Sequence, residues 1–150
     1  MIAGLRRLLL ALAPVWFART RSPCPAEVGE AGERIAEGYL RASGLHFLGR
    51  RVATRRAEVD LVFLDRGRLV CVEVKTALRA RAGPWRPGDS WRTSAFERQR
   101  CAAAELHARQ LARGAPSPRL DLVEVWIGPR GKRPEICHRP GLERLPPRSP

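Results

Sequence analysis

Hydrophobic and polar residues alternate with a two-residue period in two stretches, about Glu58–Leu64 and Leu69–Lys75, joined by Asp65-Arg66-Gly67-Arg68. This pattern predicts an antiparallel hairpin. A two-residue turn at Arg66-Gly67 would set Asp60 opposite Glu73 and Glu58 opposite Lys75. Alternation then lines Val59, Leu61, Phe63, Val70, Val72 and Val74 along one face as a core surface. It gathers Glu58, Asp60, Glu73 and Lys75 on the other. Arg66 is a poor residue for a turn that needs positive φ, so a three-residue loop with a bulge at Gly67 is the competing register.

Around the hairpin the pattern changes to a helical one. Ile35, Ala36, Tyr39 and Leu40 give an apolar face to a helix over residues 26–42, with Gly44 as its C-cap. The stretch before Glu58 reads as a loop, as does the Gly-, Pro- and Arg-rich segment Thr76–Trp91. Ser94 with Glu97 forms a capping-box signature for a second helix ending near Gly114. A Pro-rich turn leads to a strand over Leu120–Ile127, and a short strand near Glu135–His138 precedes a Pro-rich tail. The order helix, hairpin, helix, strand, strand predicts an α/β domain, a mixed central sheet flanked by helices. Residues 1–25 read as a basic and apolar N-terminal extension with a Pro-rich linker, 26–142 as the domain, and 143–150 as the tail.

Composition narrows the partners. With 28 Lys+Arg against 15 Asp+Glu, the net charge is +13, a surface suited to polyanions. Cys24, Cys71, Cys101 and Cys137 are widely spaced with no C-x-x-C pair, which argues against zinc and against a disulfide framework. A reduced, cytoplasmic setting follows. The run Leu8–Ala18 is apolar behind a basic start, but about 20 residues are needed to span a bilayer. It is read as an accessory or interfacial helix, with a signal or anchor as the alternative.

The polar face of the hairpin carries the candidate chemistry. Asp60 and Glu73 would repel at cross-strand distance unless a cation lay between them. Mg²⁺ or Mn²⁺ answers that need with one or two carboxylates plus water and phosphate oxygens. Lys75, one of only two lysines in the chain, would orient or help deprotonate a water and offset charge on a phosphate. The plainer alternative is a solvated face, with Glu58 paired to Lys75 and Asp60 satisfied by an arginine. Arg79, Arg81, Arg86 and Arg92 interleave with Trp85 and Trp91, a composition that suits phosphate contact and base stacking. The alternative is that the tryptophans pin the loop to the core. His46, His107 and His138 stand isolated.

The segments Gly32-Glu33-Arg34-Ile35-Ala36 with Tyr39-Leu40, Glu58-Val59-Asp60-Leu61-Val62, and Val72-Glu73-Val74-Lys75-Thr76 resemble the YraN family, a bacterial group with a restriction-endonuclease-like fold. Arg119-Leu120-Asp121-Leu122-Val123 is similar to the family's later strand. The resemblance covers about Val28–Leu142. It implies a PD-(D/E)XK-type site with Asp60 and Glu73 as metal ligands, Lys75 as the catalytic lysine, and Glu33 as an additional acid. Glu58 belongs to the motif without a clear role. For Glu33 the competing expectation is a surface residue paired to Arg34 or Arg41. Two departures stand out: Ala57 replaces the family's usual Gly, and Glu97 lies near the position of a usual lysine, leaving Arg98 or Arg100 to meet phosphate. The resulting expectation is a metal-dependent endonuclease acting on DNA rather than RNA, including branched DNA, with a homodimer compatible with that role. A non-cleaving nucleic-acid binder and a membrane-associated interaction protein are the alternatives.

Overall fold

The hairpin forms in the register with Asp65 opposite Arg68 and Leu61 opposite Val72. Arg66 (φ 49°) and Gly67 (φ 82°) both take positive φ, so the turn is two residues long even with an arginine in its first central position. The computed structural model describes residues 8, 10–20, 23–79, 83, 86–110, 114–129 and 132–143. Its elements are α1 (Pro14–Thr20), α2 (Pro25–Ala42), β1 (His46–Ala53), β2 (Glu58–Asp65), β3 (Arg68–Ala77), a 3-10 turn (Pro87–Ser90), α3 (Thr93–Gln110), β4 (Arg119–Trp126) and β5 (Glu135–Arg139).

The strands form one five-stranded sheet in sequential order. Neighbours are antiparallel except β3 and β4, which run parallel and are joined by the crossover through the 3-10 turn and α3. The two faces are buried separately. Ala31, Ala36 and Leu40 of α2 pack on Leu61, Phe63, Val70, Val72, Val74, Val123 and Val125. On the opposite face, Phe96, Ala102, Ala103 and Leu106 of α3 pack on Val62, Leu69, Cys71, Leu120 and Leu122. The fold is thus the expected mixed sheet flanked by helices, an architecture compatible with the restriction-endonuclease-like class.

Several local expectations need correction. His46–Ala53 is a strand and not a loop; it pairs with β2, and a register shift between Phe47 and Gly49 interrupts its alternation. Helix α3 begins one residue before Ser94, and the Arg92 carbonyl accepts the N–H groups of Ala95 and Phe96, so Ser94 lies inside the first turn. Val59 packs with the α3-side cluster while Leu61 packs on the α2 side. In a regular strand these two would share a face, so the alternation breaks at Asp60. The break coincides with the end of the β2–β3 ladder at Leu61–Val72, beyond which β2 stays paired only to β1.

The apolar N-terminal stretch contributes to the same core: Leu10, Phe17 and Ala18 are buried against the α2 side of the sheet. The Arg19 Nε donates to the Gly128 carbonyl at 2.8 Å. Among the described residues no helix is long and apolar enough to cross a membrane. At the other end of β4, Asp121 is fully buried. It accepts bonds from Arg119 Nε (2.9 Å) and Gly141 N–H (2.9 Å) and lies 2.8 Å from His138 Nε2. Burial alone would raise its carboxyl, but the bonds from His138, Arg119 and Gly141 outweigh it and hold the group below its ordinary range. The Asp121 of the Arg119–Val123 motif is therefore a structural anchor that ties β4 to β5 and, through Arg119, to Asp65 at 2.8 Å.

Candidate active site

Where β2 parts from β3, the backbone leaves Val74 without a strand partner on that side, and the side chain of Asp60 supplies one. Its Oδ2 accepts the Val74 N–H at 2.8 Å. This holds the Asp60 carboxylate against Glu73, the residue before Val74. Burial, and next the charge of Glu73, push Asp60 up to about 7; Glu33 adds to the rise, while the Val74 N–H and Lys75 oppose it. Asp60, Glu73, Glu33 and Lys75 thus sense one another electrostatically at the mouth of the hairpin.

Glu73 is buried, and both its oxygens are engaged. Oε1 accepts from Lys75 Nζ at 2.5 Å and Oε2 from Gln99 Nε2 at 2.8 Å. The expected pairing of Lys75 with Glu58 is not formed. The ladder ends before it reaches that pair, and the nearest carboxylate on the face Lys75 shares is Glu73, two residues back on the same strand. Glu58 is exposed, and its carbonyl accepts a second bond from Gln99 Nε2 at 2.9 Å.

Glu33 reaches the cluster because α2 approaches the end of β3 very closely. A Cβ at Gly32 would overlap Thr76 Oγ1 and lie 2.8 Å from Thr76 Cβ, so glycine sets the helix distance. Glu33 is buried rather than on the surface, and it pairs with neither Arg34 nor Arg41. Those arginines take the i−4 partners Glu30 and Glu37. Glu33 instead receives a two-pronged contact from Arg51, with Nε at 3.0 Å and Nη2 at 3.1 Å.

Three residues of this site escaped the sequence reading. Gln99 bridges both strands, and its Oε1 is a buried acceptor with no partner among the described residues. A signal existed, because Gln99 falls on the helical stripe formed by Phe96, Ala103 and Leu106, where a neutral polar residue is out of place. Arg51 lies on the unrecognised β1 with φ 51°, in the left-handed region. Glu124 is paired with Lys75 across the parallel β3–β4 ladder and is buried. It accepts the Gly88 N–H at 2.9 Å and Arg139 Nε at 3.0 Å, pinning the 3-10 turn beside the site.

The arginines expected to meet nucleic acid differ in exposure. Arg79, Arg92, Arg98 and Arg100 are exposed and Arg86 is half-buried, while Arg81 and Trp85 lie outside the described residues. Trp91 is a core residue, packed edge-on to Phe96 at 5.3 Å, which excludes it as a base-stacking surface. All four cysteines are free. Cys71 is buried, and desolvation pushes its thiol up to about 12, so it acts as an apolar filler.

Among the described residues no group of three or more His, Cys, Asp and Glu that could hold a metal ion is present. The Asp60–Glu73 pair nevertheless suits a hard divalent cation. It is an oxygen set strained by like charge, and the carboxamide on Glu73 also carries the orphaned Gln99 oxygen.

Fold and site together define an α/β protein with a five-stranded mixed sheet and an acidic cluster with a lysine at the open end of a hairpin. The chain belongs to the uncharacterised protein family UPF0102, whose model matches residues 32–125 and which is the YraN family that the motifs resemble. A UPF0102 protein of Symbiobacterium thermophilum is 43% identical over 105 residues, covering 70% of this chain and 86% of that protein. One from Mycolicibacterium gilvum is 37% identical over 125 residues, covering 82% and 98%. One from Rhizorhabdus wittichii is 43% identical over 104 residues, covering 67% and 83%.

Proposed function

We propose that this protein binds nucleic acid, DNA in preference to RNA, and hydrolyses its phosphodiester bonds with Mg²⁺ or Mn²⁺ held by Asp60 and Glu73. The supporting observation is the convergence on Asp60, whose carboxyl is pushed up to about 7 by burial and by Glu73 and Glu33. A carboxylate whose ionisation is opposed by burial and by neighbouring acids, at a partly open site, marks a candidate place for a cation. The bound ion would polarise the phosphate and acidify an attacking water. Lys75, 2.5 Å from Glu73, is placed to orient that water and offset charge developing on the phosphate oxygens. Gln99 fixes the Glu73 carboxylate, and Glu33 supplies an additional acid at the rim. Glu58 contributes mainly through its carbonyl, which anchors α3. Arg79, Arg86, Arg92, Arg98 and Arg100 would hold the flanking phosphates. The four free cysteines fit a reducing, cytoplasmic setting.

The test is a cleavage assay comparing the wild type with the double variant Asp60→Asn/Glu73→Gln. Linear, nicked, single-stranded and four-way-junction DNA would be supplied with Mn²⁺, Mg²⁺ or EDTA. Metal-dependent product from the wild type alone is expected; equal product from the double variant would sink the assignment. One observation favours a second reading, a binder that does not cleave: Glu73 is fully engaged by Lys75 and Gln99, and Glu33 by Arg51. It predicts salt-sensitive binding with no product under any metal.

A further inference from the structure

The β3–β4 ladder closes with the Ala77 carbonyl accepting the Ile127 N–H at 2.8 Å, and past that bond a cleft of about 350 Å³ opens. Its walls are apolar: Ala18 and Ile127 are buried, whereas Leu78, 44% exposed, and Pro129 stand open to solvent. Arg19 and Arg79 add two guanidinium-bearing side chains to the lining. Arg19 is held by main-chain carbonyls, its Nε donating to Gly128 at 2.8 Å and its Nη2 to Lys132. Carbonyl oxygens orient a guanidinium without cancelling its charge. An apolar cleft with a few cationic groups suits a ligand that joins a flat apolar body to an anion. Its position suits a ligand as well. In open α/β sheets, ligands sit outside the carboxyl ends of parallel strands, and β3 and β4 are the parallel pair here.

We propose that this cleft holds one unpaired nucleotide of a bound nucleic-acid strand, its base against Leu78 and Pro129 and its phosphate toward Arg19 and Arg79. This rests on the nucleic-acid reading of the basic surface and requires no metal. Bases in a duplex cover their faces by stacking, so only an unpaired or flipped-out base can present one to Leu78. Lys75 lies three residues before Leu78, roughly 10 Å back along the chain. A strand reaching Lys75 therefore has neighbouring nucleotides within range of the cleft. Through Ala18 and Arg19 the N-terminal segment, which lies outside the family match over residues 32–125, gains a part in binding.

The experiment measures binding of the full chain, in EDTA, to oligothymidine and to an abasic deoxyribose-phosphate strand of equal length and charge. Equal charge cancels the counter-ion contribution, so the ratio of the two affinities reports the bases alone. The wild type is expected to bind oligothymidine about fivefold tighter, the gain from one base on a half-exposed apolar wall. Leu78→Ser should bring the ratio close to one, while Leu78→Met, which keeps the wall, should retain it. Pro129→Ser should also lower the ratio, and is the second variant should Leu78→Ser perturb folding. Thymidine monophosphate should compete far more weakly than the strand; equal competition would make this a free-nucleotide site and overturn the strand assignment. A wild-type ratio of one, or a ratio that survives both Ser variants, overturns the nucleotide cleft, while salt-sensitive binding of either strand upholds the nucleic-acid reading. Failure of the wild type to bind either strand overturns that reading, and the cleft with it.

Discussion

Asp60 performs two tasks, closing the backbone of Val74 and carrying a charge that burial and Glu73 oppose. Its effect on stability has a definite sign. Its folded pKa of about 7 lies above the ordinary 3.8. The cost of ionising it is therefore absent at pH below 3.8, grows as pH rises through the interval, and is complete above 7. Asp60→Asn keeps an oxygen for the Val74 N–H and removes that charge. In EDTA, urea titrations should find the variant equal to the wild type near pH 4 and more stable by ~2–4 kcal/mol at pH 8. A pH-independent difference would show that the carboxylate is not held up by its surroundings. Gln99 and Arg51 belong at the same scale, and neither was legible as a site residue in the sequence. Their partners lie 26 and 18 residues away along the chain, so their roles exist only once the fold has formed. Asp60, Glu73 and Lys75 were legible because strand alternation and a two-residue turn placed them together.

At the scale of elements, the hairpin and the helices were readable because each keeps one period over most of its length. Strand β1 was not, since the shift between Phe47 and Gly49 breaks its alternation and two arginines occupy its middle. The side of Val59 was misassigned for a related reason: the strand leaves the ladder at Asp60, and period-two reasoning carries no information past a break. The approach of α2 to β3 was also hidden, although it places Glu33. It depends on Gly32 facing Thr76, where even a methyl group meets Thr76 Cβ at 2.8 Å. Gly32→Ala should cost ~1–3 kcal/mol in thermal or urea unfolding. It should also lower cleavage, because the helix must back away and carry Glu33 with it. Adding Thr76→Ala, which removes two of the three clashing atoms, should restore part of both losses. No recovery of either would place the strain elsewhere.

For the whole molecule, charge is divided in kind. A small group of acidic side chains, Glu33, Asp60 and Glu73, meets at the hairpin mouth, while the +13 excess is carried largely by arginine. Such a surface predicts binding to nucleic acid that weakens steeply with salt through counter-ion release. Arg98→Ala should reduce the slope of log K against log salt by about 1, with little change in sequence preference. An unchanged slope would take Arg98 off the binding surface. The buried anchors on the N-terminal stretch, Leu10, Phe17 and Ala18, bear on the membrane alternative as well. These apolar residues are already committed to the core, leaving Leu8, Leu12 and Trp16 as its exposed large apolar side chains among the described residues.

The bond from Asp60 to the Val74 amide makes one backbone proton a reporter for the entire site. Its resonance should move as the carboxylate loses a proton near pH 7, and move again when a divalent ion withdraws electron density from the same oxygen. Occupancy of the cluster could therefore be followed by magnetic resonance at a single peak, without any substrate having been identified.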